Sequence, residues 1–147
     1  MNIEINFTKT HPDAKLPSVN HSDRYTGDAG ADIRSIECVT IPARGSAVVG
    51  VGLKLASVTP GYWFRIEGRS GLGFKHGISP HFGIIDNGYR GDLAIKLYNQ
   101  TDTDYEVKCG DAIAQMIVYQ MNSAEFCFVE EASESDRGEK GFGSSGK

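Results

Sequence analysis

The sequence predicts an all-β sandwich or barrel, and three observations carry that reading. Short stretches alternate apolar and polar residues with the period of two that half-buried strands require. The 147 residues include 18 glycines, scattered without a fixed repeat, as frequent turns between short strands demand. No stretch keeps a helical apolar period long enough to build a long amphipathic helix.

The elements follow in order along the chain. Ile3, Ile5 and Phe7 alternate with polar residues and predict a first strand. Val49, Val51, Leu53 and Leu55 predict a second, and Tyr62, Phe64 and Ile66 a third. After Ser70, the segment SGLGFKHG permits one short helical turn. Leu93, Ile95 and Leu97 predict another strand. DAIAQMIVYQ tolerates a helix through its Ala and Met, but Ile117, Val118 and Tyr119 favour a strand. From Ser133 the chain reads SESDRGEKGFGSSGK, polar and glycine-rich. The expected organisation is a β domain over residues 1–132 and a flexible tail over 133–147.

Composition narrows the function. Apolar residues make up 39% and charged residues 23%, which suits a single packed domain rather than a disordered chain. The net charge of −4 (15 basic against 19 acidic residues) argues against a nonspecific nucleic-acid binder. No apolar run approaches the length of a membrane span, and the first residues lack a signal-peptide pattern. Cys38, Cys109 and Cys127 are widely spaced, with no C-x-x-C pair. They are expected to be small buried or half-buried hydrophobes in a reducing compartment. No two of His11, His21, His76 and His81 have the i, i+4 spacing of a helical metal site.

Four internal segments and the tail could carry chemistry. GRSGLG, Gly68 to Gly73, follows a predicted strand and could present backbone N–H groups, with Arg69 and Ser70 as added donors. Alone it reads first as a structural turn and second as a phosphate cradle. In FGIIDNGYRGD, the Asn87–Gly88 pair predicts a hairpin turn, with Asp86 just before it and Tyr89 just after. Asp86 is then either a turn-capping carboxylate or a general base on a rigid hairpin. TGDAGADIRS sets Asp28 and Asp32 among small residues, where a carboxylate could face a hydrated cation. Gln115 alternates with Ile113 and Ile117, so it should be buried and must find a partner, a backbone group or a ligand phosphate. In the tail, Arg137 and Phe142 offer an anion binder and an aromatic plate to a ligand with a phosphate and a ring.

Together and in this order, these segments resemble the trimeric dUTP pyrophosphatases (dUTPases). AGADIRS (29–35), GRSGLGFKHGI (68–78), GIIDNGYRGDL (83–93), GDAIAQMI (110–117) and RGEKGFGSSG (137–146) look like that family's five motifs. The resemblance implies a distorted β jelly-roll or sandwich with one short helical turn and a mobile tail, assembled as a homotrimer with shared sites. It implies hydrolysis of dUTP to dUMP and pyrophosphate, which supplies the dTMP precursor and keeps uracil out of DNA. Asp86 matches the carboxylate that activates the attacking water at the α-phosphorus. Tyr89 matches the tyrosine beneath the deoxyribose, and Gly83, Ile84 and Ile85 belong to the backbone that reads the uracil edge. Arg69, Ser70, Gly71 and Gln115 match phosphate contacts. Arg137 matches the tail arginine at the γ-phosphate, Phe142 the aromatic stacked on uracil, and Gly143 and Ser144 tail contacts to the phosphates. Asp32 matches the carboxylate that meets hydrated Mg²⁺ through water.

The sequence departs from the family pattern at Gly88, where a second acid is common, at Ala112, where an arginine is usual, and at Lys140, which replaces a glycine. A dCTP deaminase shares the implied fold, but it needs a glutamate at the pyrimidine ring, and the hairpin segment has none. A non-catalytic nucleotide-sensing or partner-binding module is the rival from another class. Retention of Asp86, Tyr89, Arg137 and Phe142 together argues against it. The expected setting is the cytoplasm, a host cell's if the source is viral, with no stable nucleic-acid or membrane binding.

Overall fold

A computed structural model describes residues 2–144 and residue 146; Ser145 and Lys147 of the predicted tail lie outside the described residues. The strands are β1 (Ile5–Lys9), β2 (Ala31–Arg34), β3 (Val39–Ile41), β4 (Ser46–Val58), β5 (Tyr62–Glu67), β6 (Ile78–Pro80), β7 (Gly83–Ile85), β8 (Asp92–Asn99), β9 (Tyr105–Val107) and β10 (Ala112–Gln120). The single helix among the described residues is α1 (Ser70–His76). Two four-stranded sheets form, ordered β1-β4-β8-β6 and β2-β10-β5-β7, with a small β3-β9 pair beside them. Every pairing is antiparallel.

The period-two pattern becomes the core. Val49, Val51, Leu53 and Leu55 of β4 and Leu93, Ile95 and Leu97 of β8 are buried from one sheet. Phe64 and Ile66 of β5, Ile33 of β2, and Ala114 and Met116 of β10 are buried from the other. Full burial of such a side chain contributes about 1.5–3 kcal/mol, so these two faces hold the sandwich together. The short α1 ends at Gly77, whose φ of 61° gives the left-handed cap that a side chain would resist. No helix among the described residues is long and apolar enough to cross a membrane.

The structure corrects three expectations. The Asn87–Gly88 segment is not a hairpin. β7 pairs with β5, whereas β8 pairs with β4 and β6, so residues 86–91 cross from one sheet to the other. A two-residue hairpin of the Asn-Gly type needs positive φ at both central residues. Neither Asn87 nor Gly88 has it. The turn is closed instead by the Tyr89 N–H donating to the Asp86 carbonyl at 3.0 Å.

Gln115 does not share a face with Ile113. A register shift between Ala112 and Ala114 inserts one residue against β2, and both Ile113 and Ala114 point into the core. Such a bulge reverses the phase, leaving Gln115 and Ile117 half-buried on the opposite face from Met116.

All three cysteines are exposed rather than buried. Cys38 precedes β3 on the side away from buried Ile41, Cys109 sits in the turn closed by the Asp111 N–H on the Lys108 carbonyl, and Cys127 lies beyond the last strand.

After β10 the chain leaves the sandwich. The Met121 N–H donates to the Gly61 carbonyl at 2.7 Å, and beyond it the described residues form no strand or helix. The later backbone bonds are local, such as Gly138 N–H to the Ser135 carbonyl and Lys140 N–H to the Arg137 carbonyl. Phe126, Phe128, Val129 and Phe142 are fully or nearly fully exposed along this arm.

Candidate active site

A cleft of about 530 Å³ opens between β2, the start of α1 and β10. Strand register builds it. Gln115 on β10 stands opposite Asp32 on β2 and opposite Glu67 on β5. Two residues past Glu67 comes Arg69, the N-cap of α1, followed by Ser70 and Gly71 on the cleft wall. The first amides of a helix have no partner within it, so this edge of the cleft offers N–H donors.

The side chains in the cleft are already committed to one another. Arg69 grips Asp32 with two bonds, Nε to Oδ1 at 2.8 Å and Nη2 to Oδ2 at 3.3 Å. Its remaining Nη1 donates to the Ala112 carbonyl at 3.3 Å. Such forked, charge-assisted pairing fixes the plane of the guanidinium as well as its place. Asp32 is held further by backbone bonds with Ser18 in both directions, at 2.7 and 3.2 Å.

Gln115 finds a backbone partner, donating Nε2 to the Gly68 carbonyl at 2.7 Å. Its Oε1 lies against Gly30, where an added Cβ would come within 2.1 Å. Glycine at position 30 is therefore what lets Gln115 lie in the cleft.

Asp28 forms the far rim. It accepts from the backbone N–H groups of Asn20 and His21 at 3.1 and 3.0 Å and meets the His21 ring at Nδ1, 3.1 Å away. The His21 N–H, above all, holds the Asp28 carboxyl below its ordinary range.

Gly83, Ile84, Ile85, Asp86 and Tyr89 lie on β7 and the crossing that follows it, and none lines the cleft. Asp86 is exposed and forms no salt bridge among the described residues. The Tyr89 ring crosses Gly91 so closely that a Cβ there would sit 2.5 Å from Cζ, and its hydroxyl donates to the Asp92 carbonyl at 2.8 Å. That leaves the ring half-exposed, with a surface on which a sugar could rest. Ile84 is exposed, and Ile85 packs on the core.

Arg137, Phe142, Gly143 and Ser144 lie on the arm. Arg137 Nε donates to the Lys140 carbonyl at 2.7 Å, and Phe142 touches no part of the core.

One chain therefore brings together Asp32, Arg69, Ser70, Gly71 and Gln115, and keeps the 83–89 residues and the tail residues outside that cleft. Sequence reasoning missed Ser18, Asn20 and Gly30 as cleft residues, and named Asp28 only as one of two carboxylates that could face a cation. Gly30 directly precedes β2, and its only sequence signal is that of one small residue in AGADIRS; Ser18 and Asn20 carry no local signal.

Known proteins resemble the chain over nearly its whole length. A family model described as dUTPase matches residues 18–146. A deoxyuridine 5'-triphosphate nucleotidohydrolase from Wolinella succinogenes is 40% identical over 149 residues, covering 99% of this chain and 95% of the relative. One from Paramecium bursaria Chlorella virus 1 is 45% identical over 120 residues, covering 82% and 84%. Among solved structures, a G164S mutant of the Staphylococcus bacteriophage 80alpha dUTPase with dUpNHpp superposes with a TM-score of 0.86 at 30% identity, covering 98% of this chain and 99% of that one.

Proposed function

The chain belongs to the dUTPase family, and on that premise we propose how its residues hydrolyse dUTP to dUMP and pyrophosphate. The observation that carries the mechanism is the contrast at Asp86, whose carboxylate forms no salt bridge among the described residues while the turn beneath it is fixed by hydrogen bonds. A general base needs a free lone pair and a fixed position. Asp86 takes a proton from a water that attacks the α-phosphorus in line, and pyrophosphate leaves. Arg69, Ser70, the Gly71 amide and Gln115 donate to the phosphoryl oxygens as negative charge builds there. Tyr89 lies under the deoxyribose, where a 2′-hydroxyl would meet its ring, and the backbone of Gly83, Ile84 and Ile85 reads the uracil edge. Arg137 reaches the γ-phosphate, Phe142 stacks on the base, and Gly143 and Ser144 complete the phosphate contacts.

The residues present fit Mg²⁺. Asp28 and Asp32 put two carboxylates on one open cleft, and no cluster of three or more metal-ligating side chains exists among the described residues. That set suits an ion that keeps its waters and binds mainly through substrate phosphates. Asp32 would hold it through water, and when bound it supplies charge neutralisation on the triphosphate.

The separation of cleft, crossing and arm supports a homotrimer in which each site takes parts from more than one chain. The apolar residues exposed along the arm support the same reading, since a seat on a neighbouring copy would cover them. In this scheme residues 1–132 are the body and 133–147 a lid that closes on a complete substrate.

The test is an assay of all common deoxynucleoside triphosphates and UTP with Mg²⁺, identifying both products, alongside light scattering of the active preparation. The expected result is dUMP and pyrophosphate from dUTP alone, by a particle of three chains. Release of ammonia, turnover of UTP at a comparable rate, or an active monomer would each break the reading.

A further inference from the structure

At the first central position of a turn, asparagine normally bonds its own backbone a residue or two along the chain. Asn87 does otherwise. Its Nδ2 donates to the Tyr62 carbonyl at 2.8 Å and to the Thr59 carbonyl at 3.0 Å, with the Val58 carbonyl at 3.5 Å. These partners lie 25 to 29 positions back in sequence, around the turn from the end of β4 (Val58) to the start of β5 (Tyr62). Both amide protons are thus spent on tying the 86–89 turn to a different turn, and the side chain is half-buried in doing so.

The anchoring turn is itself braced. The Thr59 N–H donates to the Glu4 carbonyl at 2.9 Å, and Thr59 Oγ1 accepts from the Glu4 N–H at 2.8 Å. The Tyr62 N–H donates to the Thr59 carbonyl at 3.3 Å, closing the turn. Gly61 takes the Met121 N–H where the arm departs. On the other side of the crossing, Arg90 Nη1 donates to the Asn87 and Tyr89 carbonyls, at 2.7 and 2.6 Å. Leu55 N–H holds the Gly91 carbonyl at 3.0 Å. A segment that joins two sheets without pairing to either is therefore fixed at both ends, and Asn87 supplies the fixing at the Asp86 end.

We propose that Asn87 is a positioning residue for dUTP hydrolysis, pinning the crossing so that the Asp86 carboxylate and the Tyr89 ring keep a fixed relation to the substrate. This rests on the roles given above to Asp86 and Tyr89. Asn87 touches no substrate. It acts through its neighbours, Asp86 directly before it and Tyr89 two residues after.

The chemistry of the anchor dictates the variants. Alanine removes both donors and frees the turn. Aspartate keeps the shape but turns acceptors toward the Tyr62 and Thr59 carbonyls, which repel it. In both variants kcat for dUTP should fall about tenfold to a hundredfold, the range that small misplacements of a reacting group produce. The KM for dUTP should change less than about twofold, because the phosphate donors of the cleft are untouched. The dUTP-over-UTP preference should fall as Tyr89 loses its place. A merely structural asparagine would lower thermal stability and the active fraction without moving kcat per active site or the sugar preference.

A measurement on the unaltered protein covers the case in which the variants do not fold. The Asn87 side-chain NH₂ resonances should show slow exchange with solvent, as two bonded protons require. Exchange at the rate of a free amide would overturn the proposal, as would unchanged kcat and sugar preference in folded Asn87→Ala. The comparison with Asp86→Asn separates the two readings. If Asp86→Asn loses turnover and Asn87→Ala does not, only the anchor fails. If Asp86→Asn retains turnover, the role of Asp86 fails with it.

Discussion

In the cleft the side chains are held and their partners are other side chains or carbonyls. Arg69 lies in the fork of Asp32, and Gln115 is bonded to Gly68 with its oxygen against Gly30. In the 86–91 crossing it is the backbone that is held, by Asn87, Arg90 and Leu55, while the Asp86 carboxylate stands exposed. On the proposed roles, the difference follows from the work each region would do. Donors to a phosphate gain from being oriented beforehand, since no reorganisation is then needed as charge develops. A base must keep its lone pair for water, so its position has to come from the chain beneath it.

That contrast breaks most sharply at Asp86. Asp86→Asn keeps the shape and the turn but removes the basic lone pair. Turnover should fall about 10²–10⁴-fold while dUTP binding and melting temperature stay close to wild type. Steady-state kinetics with calorimetric binding of a non-hydrolysable analogue checks it; turnover near wild type would remove Asp86 from the role.

The arm is a third regime, with side chains and backbone both unsupported by their own body. Deleting residues 137–147 should leave a protein that melts as before, because no described backbone bond past Met121 returns to the sandwich. Its kcat/KM should drop by roughly tenfold to a hundredfold, and Phe142→Ala should account for much of this, as base stacking is worth about 1–3 kcal/mol. Full activity in the truncated protein would sink the lid.

A finer test lies within the cleft. Gly30→Ala would drive a Cβ to 2.1 Å from Gln115 Oε1 and 2.9 Å from its Cδ. The flexible end of Gln115 can swing away, so the fold survives, but its bond to Gly68 and its place in the cleft are lost. With a hydrogen bond worth about 0.5–1.5 kcal/mol, KM for dUTP should rise a few-fold with little change in kcat. An unchanged KM would show that Gln115 does not act on the substrate from this position.

The smallest effect concerns the rim. The Asp28 carboxyl titrates below its ordinary value of 3.8, chiefly because of the His21 N–H. A depressed folded value means that the contribution of Asp28 is present above the unfolded value and is lost as pH falls through the folded one. Asp28→Asn should therefore lower the melting temperature slightly at neutral pH, meet the wild-type curve as the carboxyl protonates, and so flatten the acid limb below about pH 4 of a melting-temperature profile. A profile that runs parallel to wild type down to acid would exclude the effect.

What the sequence made legible depended on how local the signal was. Val49 to Leu55 and Leu93 to Leu97 announced themselves because alternation is a property of neighbours, and those residues became the core. Arg69, Ser70, Gly71 and Gln115 could be gathered by resemblance, and the strand register did bring them to one cleft. The bulge at Ile113 stayed hidden because both phases, Ile113 and Ala114, are apolar and either could face inward. Asn87 was misread for a related reason. Asn-Gly is a local hairpin signal, but the partners that decide its conformation, Thr59 and Tyr62, come from a turn far back in the chain. Gly30 looked like one glycine among many until the position of Gln115 gave it a reason.

The division of cleft, crossing and arm among separate parts of one chain has a consequence for heredity. On the shared-site reading, a lesion in Asp86 and a lesion in Arg69 disable different contributions to the same site. Two inactive alleles of these kinds, expressed together, yield mixed assemblies in which some sites draw every part from an undamaged donor. Complementation between dead copies, and partial poisoning of a healthy copy by a damaged one, are then built into the way the polypeptide is divided.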